Sequence, residues 1–329
     1  MRKLTVIMPV FNGEKYLSEA INSVLQQTFS DFYFLIFNDN STDNTLNILN
    51  DFALKDSRIK VFSTKENFGP GKLRNQGIDL ATTPYIAFLD ADDIALPNRF
   101  EKQITFLENN SEYGLCGSWF TVFGDKKEKV IKHAVEHEYL KVQFLHSCGL
   151  GNSTVMFKKM ALNNLRFENE FFVAEDYALW SELIAQTKIY NIPESLVKYR
   201  WHATNISKSK ADEMEKAELS IKKRQLKRLN INYEDSNYYV NAVSLKRKQS
   251  IEEIKKTISA SYKLLEKNKI IKFYNQEIFQ KHIEKTILRT IRNAKKNNFS
   301  YFKYLKNESV YFSKIKMLDK IILFFKCLF

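Results

Sequence analysis

Cysteine, glycine and proline are scarce in this chain. Of its 329 residues only three are Cys, nine Gly and five Pro. Cys116, Cys148 and Cys327 are odd in number and form no C-x-x-C pair, which argues against a disulfide scaffold or a structural zinc site and fits a reducing compartment. So little Gly and Pro excludes a collagen-like or linker-rich chain, and no repeat of roughly 20–50 residues is present. Apolar runs of about 18 residues or more are also missing, so no simple membrane-spanning helix is expected. The apolar stretch after Met1-Arg2-Lys3 stops at Asn12-Gly13 with no small-residue cleavage site. It reads as a first strand, not a signal peptide, and a cytoplasmic location is expected.

What is present suffices for a folded body: 44% of residues are hydrophobic and 27% charged. The net charge of +13 is unevenly placed. Residues 1–205 hold 22 Lys+Arg against 25 Asp+Glu, or −3, whereas residues 206–329 hold 29 against 13, or +16. We therefore expect a near-neutral domain over 1–205 that handles a specific ligand, and a basic, helical region over 206–329 suited to an anionic surface.

Apolar β-branched runs alternate with helical periodicity through the first 90 residues, which predicts strands over 4–10, 32–37, 59–62 and 85–89 joined by helices. Tyr16, Leu17, Ala20, Ile21, Val24 and Leu25 line one face of the first helix, Ser41 or Thr42 is expected to cap the second, and the third spans 70–80. The fold class is α/β, a mostly parallel sheet covered by helices. Further on, Pro97 is expected to open a helix, 115–123 and 155–157 to form strands and 125–132 a charged loop. Beyond 205 only 238–243 reads as a β run.

Ligands of open parallel sheets collect at the carboxyl ends of strands. The fourth strand ends in Asp90-Ala91-Asp92-Asp93, three carboxylates that repel one another unless a cation intervenes. Oxygen ligands of this kind suit Mg²⁺ or Mn²⁺, and an ion held by one or two carboxylates keeps positions open for diphosphate oxygens. Taken alone, the motif reads first as a solvated acidic turn that caps the helix at Pro97. Asp39, at the end of the second strand, faces the crevice, where a carboxylate can accept the imide hydrogen of uracil. Gly69-Pro70-Gly71 before Lys72 and Arg74 could bring a helix start and cations to an anion, but it is not G-x-G-x-x-G, and a dinucleotide fingerprint is unsupported. Glu175-Asp176, set among aromatics, are candidates for proton abstraction or simply a favoured acidic helix start. Tyr199-Arg200-Trp201-His202 reads as a strand end with a cation and an imidazole. His133 and His137 are read as a solvated face.

In order along the chain, Val6-Ile7-Met8-Pro9-Val10-Phe11-Asn12, Ser23-Val24-Leu25-Gln26-Gln27-Thr28-Phe29, Asp39-Asn40-Ser41-Thr42-Asp43, Arg74-Asn75-Gln76-Gly77, Phe88-Leu89-Asp90-Ala91-Asp92-Asp93 with Pro97 and Arg99, Glu175-Asp176-Tyr177 through Trp180, and Tyr199-Arg200-Trp201-His202 together resemble the family 2 glycosyltransferases. These are inverting enzymes of the GT-A nucleotide-diphospho-sugar fold, and the resemblance covers about residues 4–205. Within the family, Gly151-Asn152-Ser153-Thr154-Val155-Met156 and the segment from Pro193 to Arg200 are similar to enzymes extending bacterial lipooligosaccharide or capsule chains. The resemblance implies that Asp39 binds the uracil of a UDP-sugar, with Pro9 and Phe11 lining the base pocket and Arg74 nearby. It implies that Asp90 reaches the ribose or the metal, that Asp92 ligates Mn²⁺ or Mg²⁺ with His202 close by, and that Asp176, or alternatively Glu175, deprotonates the acceptor hydroxyl. Two positions depart from the pattern: Asn38, often acidic in the family, and Asn40, often Gly. Val197 stands where processive synthases carry Gln, which disfavours a polymerase.

At about 100° per residue, 311–329 places Met317, Leu318, Ile321, Ile322, Phe324, Phe325 and Leu328 on one arc and Lys316, Asp319, Lys320 and Lys326 opposite, with Lys314 and Leu323 breaking the pattern. The expectation is a basic amphipathic helix on an anionic membrane, the alternative a helix packed on protein. The partners expected are thus a UDP-sugar, a glycan or lipid-linked glycan acceptor and the inner face of the cytoplasmic membrane, without nucleic acid; oligomeric state is left open. A nucleotidyltransferase is the rival from the same fold, but Phe11-Asn12-Gly13-Glu14 is not the Gly-rich basic loop it needs. A nucleic-acid protein using the basic tail ranks third, since the body's strand ends are acidic.

Overall fold

Seven consecutive buried residues, Leu4–Val10, make β1, an interior strand of the sheet between β2 and β4. A strand buried on both faces needs helices above and below it, as in parallel sheets. α1 (Leu17–Leu25) supplies Leu17, Ala20, Ile21 and Val24 to one side. α3 (Pro70–Leu80) covers β1 closely at Gly77, where a Cβ would stand 2.7 Å from Ile7 Cγ2. The computed structural model describes residues 2–203, 205, 210–244 and 249–292, together with Lys303 and Lys306. They fall into two units, Met1–Glu218 and Leu219–Phe329.

In the first unit β1 pairs in parallel with β2 (Phe32–Asn38) and β4 (Tyr85–Phe88), and β2 with β3 (Ile59–Ser63). α2 (Thr45–Lys55) and α3 make the crossovers. The sheet continues through β5 (Ile94–Ala95), β6 (Tyr113–Gly124), β7 (Lys129–Ile131), β8 (Met156–Lys158) and β9 (Lys188–Trp201), in the order β3-β2-β1-β4-β8-β6-β9-β5 with β7 beside β6. Three more helices pack in this unit: α4 (Arg99–Asn109), α5 (His137–Gln143) and α6 (Glu175–Leu183). The antiparallel pairing Ile94↔Lys198 brings the chain just after the acidic strand end beside the last turns of β9.

Several expectations need correction. α2 begins at Thr45 rather than after Ser41 or Thr42, because Ser41 Oγ accepts the Asn12 N–H at 2.9 Å and the Thr42 N–H is taken by Asn12 Oδ1 at 2.8 Å. α4 begins at Arg99, not Pro97, whose carbonyl instead accepts the Thr28 N–H at 2.9 Å. The charged segment 125–132 contains β7, paired with β6 over Phe120–Val122. His133 and His137 are not a solvated face: His133 Nδ1 meets Gln143 Nε2 at 2.9 Å, His137 Nδ1 accepts the Ile189 N–H at 3.3 Å, and burial pushes the pKa of His137 down to about 4.

α7 (Ala211–Leu226) carries the chain into the second unit, which contains α8 (Tyr233–Ser244), α9 (Ile251–Ile271) and α10 (Gln276–Arg292). The run 238–243 is therefore helical; Ser236, Tyr239, Val240 and Val243 are buried at helical spacing. Ser250 and Glu253 form a reciprocal capping box at the start of α9, and Lys272 takes the left-handed cap at its end, in a region with no glycine. Among the described residues no helix is long and apolar enough to cross a membrane. The amphipathic segment 311–329 lies outside them.

Candidate active site

The loops after β1 and β2 are fastened to each other by side chains. Beyond the Asn12–Ser41–Thr42 bonds, Thr45 Oγ1 accepts the Gly13 N–H at 2.8 Å and Asp43 Oδ2 the Glu14 N–H at 3.1 Å. Both Asn12 and Asn40 are left-handed, with φ of 49° and 58°. Asn tolerates that conformation, so Asn40 provides the turn that glycine commonly provides here. Asn38 is buried and spans its loop with a donor and an acceptor: Oδ1 accepts the Ser41 N–H at 3.2 Å and Nδ2 donates to Ser63 Oγ at 3.4 Å. Asp39 is buried as well. Its two oxygens accept the N–H groups of Phe68 and Gly69 at 2.7 and 2.8 Å, which pins the entry of α3 to the end of β2. Pro9 is buried in β1, and Phe11, just past it, is 52% exposed at the mouth of the crevice.

At the end of β4 the three aspartates diverge. Asp90 Oδ1 takes an ion pair from Arg74 Nη2 at 2.7 Å, and its N–H donates to Ser153 Oγ at 3.1 Å. Asp92 Oδ2 meets His202 Nε2 at 2.8 Å. Asp93 is fully buried and Oδ1 accepts the Arg200 N–H at 2.8 Å; burial and the neighbouring Asp92 and Asp90 charges hold its pKa well above the usual carboxylate range. Burial and Asp90 also raise Asp92, against the pull of His202. Behind them Arg99, fully buried, donates through Nη2 to the carbonyls of Phe88 (2.9 Å) and Val155 (3.1 Å), and burial brings its pKa down to about 9.

Arg74 is the hinge of the site. It projects from α3, is 4% exposed, and binds Glu175 Oε1 at 2.7 Å through Nη1 while Nη2 holds Asp90. Asn152, with its amide oxygen turned to the guanidinium, accepts from Nη2 at 3.0 Å and Nε at 3.3 Å. Arg74 thus joins the β4 end to the first turn of α6, and its donors are spent there instead of in the base pocket. Asn152 and Ser153 had no assigned role in the sequence reading, although both sit in the Gly151–Met156 motif.

Glu175 and Asp176 begin α6, where acidic residues are favoured by the helix dipole. Burial, offset by Arg74 and reinforced by Asp176, pushes Glu175 up to about 7. Burial raises Asp176 too; its Oδ1 accepts the Tyr177 N–H at 2.7 Å, and the charges of Arg74 and Asp90 both act on it. Strand β9 closes the other flank: Arg200 Nε donates to the Asp92 carbonyl at 2.9 Å, its guanidinium lies 4.4 Å over the Tyr16 ring, and the His202 ring centroid is 5.3 Å from that of Tyr16.

The structure therefore brings Asp90, Asp92, Asp176, Glu175 and His202 to one end of the sheet, with Asp39 at the end of β2, one strand beyond β1 from the end of β4. Among the described residues no cluster of three or more His, Cys, Asp or Glu side chains could hold a metal unaided. The Asp92–His202 pair nonetheless offers one oxygen and one nitrogen at a single point, a donor set that fits a divalent ion completing its shell with diphosphate oxygens and water. Asp90, spent on Arg74, is less available to that ion.

A parallel β1–β4 sheet with an acidic strand end, continued by a mixed half in which β9 runs parallel to β6 and returns a histidine to it, is the GT-A architecture. Residues 5–179 match the family described as Glycosyl transferase family 2, and the chain belongs to that family and is a glycosyltransferase. It is 31% identical over 254 residues to an uncharacterised glycosyltransferase of Haemophilus influenzae, covering 74% of this chain and 76% of that protein. It is 32% identical over 215 residues to WfgD of Escherichia coli, named a UDP-Glc:α-D-GlcNAc-diphosphoundecaprenol β-1,3-glucosyltransferase, covering 65% of this chain and 83% of WfgD. The fold is similar to that of S. aureus TarS 1–349 in complex with UDP, with a TM-score of 0.58 at 19% identity over 88% of this chain and 89% of that one. It is also similar to the mannosyltransferase PcManGT of Pyrobaculum calidifontis in complex with GDP-Man and Mn²⁺, with a TM-score of 0.52 at 13% identity over 98% and 85% of the two chains.

Proposed function

We propose that this glycosyltransferase moves a hexose or N-acetylhexosamine, with inversion, from a UDP-sugar to a hydroxyl of a lipid-linked glycan acceptor in the synthesis of a bacterial surface polysaccharide or lipooligosaccharide. The observation that carries it is the double ion pair of Arg74, which fixes a donor-side carboxylate, Asp90, and the carboxylate turn of α6 in one frame. A single displacement needs this arrangement: a base on one face of the anomeric carbon and charge stabilisation for the leaving group on the other.

On this reading Asp39 holds the Phe68–Gly69 turn and uses a remaining lone pair for the imide N–H of uracil, with Phe11 and Pro9 against the base. Asp90 reaches the ribose. Asp92 and His202 would hold Mn²⁺ or Mg²⁺, which when bound supplies positive charge for the diphosphate. Asp176, or else Glu175, takes the proton from the acceptor hydroxyl as its oxygen forms the bond to the anomeric carbon and the bond to the diphosphate oxygen breaks. Arg74 keeps the carboxylates of the two sides at fixed separation. The name of WfgD supports a UDP-sugar donor and a diphospholipid-linked acceptor, and the TarS complex with UDP supports the same nucleotide. We further propose a cytoplasmic enzyme whose basic region, +16 over 206–329, rests on the inner membrane face where such acceptors lie.

The test is a donor screen: release of UDP scored across UDP-sugars, with GDP-mannose as the contrasting nucleotide. A preference for UDP-glucose, UDP-galactose or their N-acetylated forms supports the reading, and turnover of GDP-mannose alone overturns it.

A further inference from the structure

Next to the α6 carboxylates lies a cavity of about 150 Å³ bordered by Phe68, Lys72, Phe167, Asn169, Phe172 and Glu175. It is small for a complete ligand, since pockets for drug-sized molecules run to roughly 300–1,000 Å³, and its size suits one pyranose ring. Its lining is mixed in the way sugars require: aromatic rings for the apolar C–H face, with a carboxylate, an amide and an ammonium for the hydroxyls.

Phe172 is the unusual member. It precedes α6, three positions before Glu175, and is 42% exposed, whereas its chain neighbour Phe171 is buried. Its ring is seated by Gly69: a Cβ there would come within 2.4 Å of the ring, and φ of Gly69 is +80°, so glycine is needed on both counts. The Lys210 ammonium stands 4.7 Å over the same ring, so that face is engaged by a side chain that is itself 40% exposed. An aromatic held by its edge, its face lent to an exposed lysine that a sugar ring can displace, beside a carboxylate already tied into the reaction frame through Arg74, is arranged for stacking and not for packing.

We propose that this cavity is the subsite for the sugar ring of the acceptor, with Phe172 as the stacking platform that orients the ring against the Glu175–Asp176 turn. The inference rests on the transfer reaction proposed above and specifies the acceptor as a pyranoside whose attacking hydroxyl lies at the edge of the stacked ring. Phe172 is a specificity-determining residue, and Asn169 and Lys72 select among hydroxyl configurations at the rim.

The experiment uses the full chain with UDP present and measures saturation-transfer NMR to methyl glycosides of glucose, galactose and N-acetylglucosamine, alongside calorimetry of UDP itself. At least one glycoside is expected to receive saturation. Phe172→Leu, which keeps bulk but removes the π face, should weaken it roughly tenfold, Phe172→Tyr should retain it, and neither should change UDP affinity. Silence from all three glycosides with wild-type protein overturns the subsite, as does Phe172→Leu binding like wild type, or losing UDP and sugar together. Failure of wild-type protein to bind UDP would instead strike at the donor reading, and the glycoside signals would still decide the subsite.

Discussion

Nε2 of His202 lies 2.8 Å from Oδ2 of Asp92, across 110 residues of chain. The pairing follows from strand order. β5 ties the residues just after Asp92 to the Val197–Lys198 stretch of β9, and four residues later β9 has delivered the imidazole. If these two atoms share a divalent ion with the diphosphate, activity should vanish in chelator and return with Mn²⁺ or Mg²⁺. Asp92→Asn should fall by orders of magnitude and His202→Gln by less, since diphosphate and Asp92 still anchor the ion. Full activity of Asp92→Asn in excess EDTA is the contrary outcome.

Donor binding and proton transfer are separable in this frame. Asp176→Asn should lower kcat with UDP-sugar affinity nearly intact, because that carboxylate acts on the acceptor. Asp39→Ala should do the reverse and weaken UDP binding. It should also destabilise the fold by about 1–3 kcal/mol, because the N–H groups of Phe68 and Gly69 lose their acceptor. A dead Glu175→Gln beside a normal Asp176→Asn would move the base by one residue.

The pH profile carries a signature of the α6 turn. A base works deprotonated, and burial raises both candidates, Glu175 to about 7. kcat/KM should therefore rise with pH and lose its acid side near neutrality, well above the range of an ordinary carboxylate. Removing the Arg74 charge, as in Arg74→Met, removes a force that lowers both groups, so the acid limb should move to higher pH in that variant. An acid limb near pH 4 in wild type would exclude both residues as the ionising base.

Much of this was readable beforehand, and the part that was not has a physical cause. β1 to β4 and α3 are local patterns: apolar runs, and a Pro-Gly start followed by helical spacing, so the bounds of β1 and α3 coincide with those expected. The acidic strand end and the α6 pair were visible as residue types whose chemistry is unusual in a row. What sequence could not show is which aspartate faces which partner. Asp90, Asp92 and Asp93 are neighbours in the chain, but Arg74, His202 and the Arg200 N–H draw them three ways, the first from α3 and the other two from the end of β9. Tyr238–Val243 misled because β-branched and aromatic residues also fill the buried stripe of α8, where spacing over a longer window decides.

Arg99 illustrates a group whose importance is structural. Buried without an adjacent carboxylate, it ties the end of β4 to Val155 before β8 and supports the acidic loop from behind. Arg99→Met should lower stability by about 2–4 kcal/mol and reduce activity in parallel with folding, with KM for donor unchanged in the folded fraction. Urea unfolding against residual activity checks this, and loss of donor affinity at full stability would place Arg99 in the binding site.

The basic region offers two forces with different signatures. Each Lys near an anionic bilayer contributes about 1 kcal/mol and is screened by salt, whereas buried Phe and Ile contribute about 25 cal/mol per Å² and are not. Residues 308–329 hold both kinds, including Lys316, Lys320, Lys326, Phe324 and Phe325. Deleting them should release the protein from phosphatidylserine vesicles while transfer to a short soluble acceptor persists. Reversing the three lysines should match the deletion at low lipid charge. A truncated chain that unfolds or changes oligomeric state, together with full-length protein that ignores vesicles, would assign the segment to protein packing and remove the membrane from the proposal.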